Sequence, residues 1–141
     1  MRGVLICLGV CFIGVACSAP AGLQVDEAVV AVPAGPVTAA YFVLTNHEAD
    51  SDRLVGVRSE AGDAELHRSF VDGDRMSMEP IAEMIVGGGE VIRFAPGGFH
   101  VMLFEVGALE RGQVVPITLV FENSGDLEFE ARVVPYSEIE P

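Results

Sequence analysis

Short runs of alternating apolar and polar residues, separated by turn residues, make up most of this chain. From Leu127 to Val133 apolar and charged residues alternate strictly, which indicates a strand with one buried and one solvated face. Clusters rich in Pro and Gly, such as residues 33–36 and 96–98, break the runs. The pattern predicts nine strands, at residues 23–32, 37–46, 52–58, 63–70, 75–78, 91–94, 100–106, 115–122 and 126–134.

No segment shows an amphipathic helix of more than two turns, and strands at this spacing are typical of a β-sandwich or barrel. The 141 residues, 50% of them hydrophobic, suffice for a single core, and no internal repeat is visible. We therefore predict one all-β domain over residues 23–135. The acidic tail that follows, residues 136–141, is expected to fray.

The first residues have the features of an export signal. Arg2 precedes an apolar run at residues 4–15 that is too short to span a membrane. The run ends before Cys17, and residues 14–17 resemble a bacterial lipobox in which the cysteine is lipidated. We expect a signal peptide at residues 1–16, lipidation of Cys17 and a tether at residues 17–22. Ordinary cleavage one or two residues after Cys17 is the alternative.

Charge and cysteine content exclude several classes of function. The net charge is −13, which argues against nucleic-acid binding, since a phosphate backbone requires a basic surface. All eight basic residues are Arg, so lysine chemistry is excluded. Cys7 and Cys11 lie in the predicted signal peptide and Cys17 at its edge, so the predicted domain has no disulfide, thiolate metal site or redox dithiol.

Four residues form a candidate metal site: His67, Met78, His100 and Met102. His100 and Met102 are two residues apart and face one side of a predicted strand. The turn at residues 72–74 can bring Met78 back beside His67, and a sandwich could gather all four at one end. Imidazole and thioether donors together favour Cu(I) over harder ions, and they withstand an oxidising compartment.

Each residue also has a structural interpretation. Methionine on a strand usually fills the core, and His100 could be a buried histidine with satisfied hydrogen bonds. Met76, two residues before Met78, is a possible auxiliary ligand. Met84 is expected to pack, and His47 to be a solvated turn residue.

The spacing H-x10-M-x21-H-x-M at His67, Met78, His100 and Met102 resembles the signature of the PCuAC family of periplasmic copper chaperones. Segments around the four residues are similar as well, from about residue 25 to residue 134. The resemblance implies a cupredoxin-like or immunoglobulin-like β-sandwich that binds one Cu(I) per chain. It also implies a copper-accepting partner, a cytochrome oxidase subunit or a Sco-type thiol protein. The chain lacks the His- and Met-rich tail of many members, so a second copper site is not expected.

The sequence leaves two functions open. The first is an exported, non-enzymatic copper(I) chaperone, in the periplasm or cell envelope, monomeric, and touching the membrane only through a lipid anchor. Ligand exchange with a partner then requires His100 and Met102 to lie at the rim of the fold. The alternative is a structural or adhesion sandwich with incidental His and Met. No pattern of a hydrolase, a zinc protease or a phosphate-binding loop supports an enzyme.

Overall fold

A computed structural model describes residues 21–141 as an all-β domain. The predicted signal peptide, Cys17 and most of the tether lie outside the described residues. The strands are β1 (Leu23–Ala31), β2 (Val37–Asn46), β3 (Asp52–Ser59), β4 (Asp63–Asp72), β5 (Arg75–Pro80), β6 (Met84–Val86), β7 (Val91–Phe94), β8 (Phe99–Phe104), β9 (Val114–Phe121) and β10 (Gly125–Val134). In this part of the chain, no helix is long and apolar enough to cross a membrane.

The ten strands form one hydrogen-bonded sheet in the order β5-β4-β8-β7-β2-β1-β10-β9-β3-β6, with β8 also pairing with β2. Pairing is antiparallel except between β1 and β10 and between β7 and β8. Although β3 and β4 lie far apart in this order, they are in contact without backbone pairing. The sheet therefore curls over and closes around one interior, which confirms the predicted β-sandwich class.

The core is made by alternate residues of nearly every strand. Phe42 and Phe94 stack with ring centroids 4.2 Å apart at its centre. On β8, Val101 and Leu103 point inward and are fully buried. Since side chains alternate across a strand, the residues between them face outward, and these include the candidate ligands His100 and Met102.

Two elements of the structure were not expected from the sequence, and several strand ends differ from the predicted ones by one or two residues. Strand β6 was not predicted, since its three residues are too few to show alternation. The tail, expected to fray, contains a 3₁₀ helix at Tyr136–Glu138. Glu138 is held there by an ion pair with Arg111 at 2.8 Å.

Candidate metal site

Two histidines face each other on neighbouring strands. His67 of β4 is directly opposite His100 of β8 in the antiparallel register, so both project from the same face of the sheet. Their ring centroids are 5.7 Å apart. The residues beside them, Leu66 and Val101, point into the core. The histidines therefore lie on the outer face of the sheet, and the hydrophobic core packs against its inner face.

The two predicted thioether ligands belong to the same face. Met102 is two residues from His100 and lies opposite Glu65. Met78 on β5 lies opposite Ser69, which is two residues from His67. Strands β5, β4 and β8 are adjacent, so the register brings all four predicted residues onto one outer face of three strands. The four residues therefore share one face, as the sequence-based hypothesis of a common site requires.

Burial differs strongly among the four side chains. His67 and His100 are 7% and 4% exposed, Met102 is half-buried, and Met78 is 50% exposed. The expectation that His100 and Met102 lie at the rim is thus wrong for His100. Strand β8 is interior to the sheet, and His100 is flanked by His67 and by Tyr41, whose ring centroid is 6.3 Å away. Neighbours on both sides exclude water from the imidazole.

A turn sets the orientation of His100. Ala95, Pro96, Gly97 and Gly98 form a turn in which the Gly98 N–H donates to the Ala95 carbonyl at 3.0 Å. Gly97 has φ of 82°, as the third position of a type II turn requires. The Gly98 carbonyl then accepts from Nδ1 of His100 at 3.2 Å. With its proton on Nδ1, His100 carries its lone pair on Nε2.

Burial favours the neutral form of His100. Burial lowers the pKa of His100, the Gly98 carbonyl partly opposes this, and the proximity of His67 lowers the pKa further. A neutral imidazole is the form that binds a metal.

His67 has contacts of a different kind. Its Nε2 lies 3.0 Å from Oε2 of Glu65, on the same strand and the same face. Its Nδ1 is buried and has no hydrogen-bond partner. Glu65 was not identified as a functional residue from the sequence. The Glu-x-His spacing could have indicated it, because residues two apart on a predicted strand face the same side.

Few side chains near the two histidines could serve as further metal ligands. In residues 21–141, no group of three or more His, Cys, Asp or Glu side chains lies close enough together to hold a metal ion. A metal at the His67–His100 pair would therefore draw on the thioethers of the same face. Such a mixed set suits a soft, monovalent ion better than a hard divalent one.

The other His and Met residues are placed as follows. Met76 lies opposite Val71, on the same face as Met78 but two residues nearer the hairpin loop, and is 61% exposed. His47 is exposed, as expected, and contacts Oε1 of Gln24 at 3.2 Å. Met84 is half-buried against the core on β6, which confirms the packing role predicted for it.

The hairpin that carries Met78 is set by its loop. Gly73 and Asp74 connect β4 to β5, and Gly73 has φ of 62°. A two-residue loop with positive φ at its first position is the type II′ turn that antiparallel hairpins prefer. This loop fixes the register that places Met78 opposite Ser69.

The structure is similar to solved copper-related domains. The Cu(I) form of DR1885 from Deinococcus radiodurans is 26% identical, with a TM-score of 0.61 over 86% of this chain and 83% of that chain. The apo PCuAC domain of PmoF1 is 25% identical, with a TM-score of 0.68 over 83% and 98%. The copper-bound PCuAC domain of PmoF2, at 22% identity and a TM-score of 0.67 over 84% and 97%, shares the fold. These likenesses confirm the resemblance to the PCuAC family.

Sequence relatives carry a different description. A protein of Leifsonia xyli subsp. xyli, "Putative lipoprotein Lxx21020", is 31% identical over 105 residues. The match covers 72% of this chain and 63% of that protein's length. A family model described as "Putative lipoprotein LpqE-like" matches residues 23–133, which is nearly the whole described domain. The chain therefore belongs to the LpqE-like family.

Proposed function

We propose that this protein is an exported copper(I) chaperone that binds one Cu(I) and hands it to a partner by ligand exchange. The observation that carries the proposal is the His67–His100 pair on the outer face of the sheet. Two further donors, Met78 and Met102, share that face. The Cu(I)-bound state of the structural neighbour DR1885 supports the same assignment.

The chemistry of the four side chains favours Cu(I). Neutral imidazole and thioether bind a soft monovalent ion without requiring a charged ligand. A Zn(II) site would use the two imidazoles but not the thioethers, and two imidazoles alone do not fill a tetrahedral site. Copper is here the cargo, and the four side chains hold it between capture and delivery.

The difference in burial suggests the order of transfer. Met78 is half exposed on an edge strand, whereas both imidazoles are buried. A donor atom of a partner can therefore displace the Met78 thioether first, while the histidines still hold the ion. The imidazoles then leave in turn, so bare Cu(I) is never released. The recipients that the family resemblance suggests are a cytochrome oxidase subunit or a Sco-type thiol protein.

Envelope location follows from the predicted leader and from the relatives. The predicted lipidation site, Cys17, precedes the domain by only a short tether. The family and the Leifsonia relative are both described as lipoproteins. We propose that the domain is held at the membrane surface by a lipid on Cys17 and contacts the membrane in no other way. Mass spectrometry of the mature N-terminus tests this.

Competition titration tests copper binding. The mature domain is titrated with Cu(I) under reducing conditions against a chromogenic chelator. Met78→Leu removes the thioether with little change of volume, and Met84→Leu is the matched control on β6. We expect one tightly held copper in the wild type and in Met84→Leu, and affinity at least about tenfold lower in Met78→Leu. A wild type that binds no better than Met78→Leu would refute the proposal.

A further inference from the structure

The Glu65–His67 contact fixes which nitrogen of His67 carries the proton. A carboxylate can only accept hydrogen bonds, so Nε2 of His67 must donate across the 3.0 Å separation from Oε2 of Glu65. In a neutral imidazole the other nitrogen, Nδ1, then carries the lone pair. That atom is buried and has no hydrogen-bond partner.

A buried nitrogen without a partner needs an explanation, since such groups are rare and costly in folded proteins. His67 is only 7% exposed, so water does not readily satisfy its Nδ1. A lone pair held free on the face shared with His100 is suited to a metal ion. We propose that Glu65 is a positioning residue that holds His67 as the Nε2–H tautomer and so presents Nδ1 to Cu(I). This inference rests on the proposed function.

His100 is oriented by the opposite nitrogen. Its Nδ1–H donates a hydrogen bond to the Gly98 carbonyl, which leaves Nε2 as the nitrogen that can bind a metal ion. The two facing imidazoles thus use different nitrogens, one set by a side-chain carboxylate and the other by a backbone carbonyl. Partners of this kind orient metal-binding histidines and raise their basicity.

The placement of Glu65 suits this role. It is two residues before His67 on the same face of β4 and lies opposite Met102, so it borders the four donors without belonging to them. Its side chain is 55% exposed, which leaves the carboxylate partly hydrated. A competing arrangement has Cu(I) displace Glu65 and bind Nε2, which would leave the buried Nδ1 unsatisfied in the loaded protein as well.

The test uses long-range ¹H–¹⁵N NMR of the histidine rings at mildly alkaline pH, where imidazoles are neutral. Spectra are recorded for the apo and Cu(I)-loaded protein, together with Cu(I) affinity. The variants are Glu65→Ala, Glu65→Gln, whose amide oxygen can still accept from Nε2–H, and Glu128→Ala. Glu128 is an exposed strand residue of β10, remote in sheet order from β4, and serves as the control.

We expect Nε2–H at His67 in the apo wild type, and copper on Nδ1 in the loaded form. Glu65→Ala should give a mixture of tautomers and about 10–100-fold weaker Cu(I) binding. Glu65→Gln should retain most of the Nε2–H tautomer of His67 and most of the Cu(I) affinity. Glu128→Ala should match the wild type in both measurements. Nδ1–H at His67 in the apo protein, copper on Nε2, or wild-type affinity in Glu65→Ala would each overturn the inference. A wild type that binds no Cu(I) would instead refute the proposed function itself.

Discussion

His67 and His100 lie directly opposite each other on β4 and β8, with ring centroids 5.7 Å apart on the outer face of the sheet. Antiparallel pairing between the two strands fixes this relationship, since opposite residues share a face. The neighbouring residues Leu66 and Val101 face the other way and are buried in the core. A rigid strand pair therefore holds the two imidazoles, and no loop closure is needed to bring them together.

Removal of one imidazole should weaken copper binding strongly. His67→Ala leaves His100 without its opposite partner, so we expect Cu(I) affinity at least about 100-fold below the wild type, because a ligand itself is lost. His47→Ala is the control, since His47 is exposed and contacts Gln24 and not the site. Chelator competition measures both. Equal affinities in the two variants would remove His67 from the site.

Met78→Leu should leave stability almost unchanged. The side chain is 50% exposed on an edge strand, and Leu and Met have similar volumes. The free energy of unfolding of the apo protein should change by less than about 1 kcal/mol, as measured by urea denaturation. A larger loss would mean that Met78 supports the fold and that its effect on copper is indirect.

Asp52 should make stability depend on pH in the acid range. Burial raises its pKa, but the Ser124 hydroxyl and the backbone N–H groups of Arg53, Asn123 and Ser124 favour the carboxylate and lower the pKa to about 2. Because the folded pKa lies below the unfolded value, the contribution is present above pH ~4 and is lost as pH falls towards 2.

Asp52→Asn tests this. The variant should be less stable than the wild type at neutral pH and should approach it as pH falls from about 4 to 2, as urea denaturation across that range would show. A constant difference between the two proteins at every pH would contradict the account.

Gly97→Ala should destabilise the turn that precedes β8. Gly97 has φ of 82°, a conformation that costs an L-residue about 1 kcal/mol. Gly98→Ala is the control, since an added Cβ there meets the Ala95 carbonyl oxygen at 3.5 Å, an ordinary contact. We expect a lower thermal midpoint for Gly97→Ala and a change near zero for Gly98→Ala. The reverse order would refute the turn assignment.

Local patterns predicted the strands well where alternation was long. Strand β2 has the predicted limits, 37–46, because ten residues are enough to show the period. Strand β6 has only three residues and shows no period. The bulge in β1, where Glu27 has φ of 55°, also has no local signal, since Glu rarely adopts that conformation.

The sequence identified four candidate ligands that share one face of the sheet, but it did not predict how deeply each of them is buried. Spacing and resemblance identified His67, Met78, His100 and Met102, and the register places them on one face. The burial of His100 was not foreseen, because it depends on Tyr41 and His67, which come from strands distant in sequence. A local sequence pattern does not show whether residues from other strands will cover the outer face.

X-ray absorption at the copper edge of the loaded mature domain tests the central claim most directly. Coordination by His67, His100, Met78 and Met102 predicts one Cu(I) per chain with both nitrogen and sulfur neighbours. A copper that has only nitrogen and oxygen neighbours, or a protein that retains no copper after chelator wash, would contradict the account.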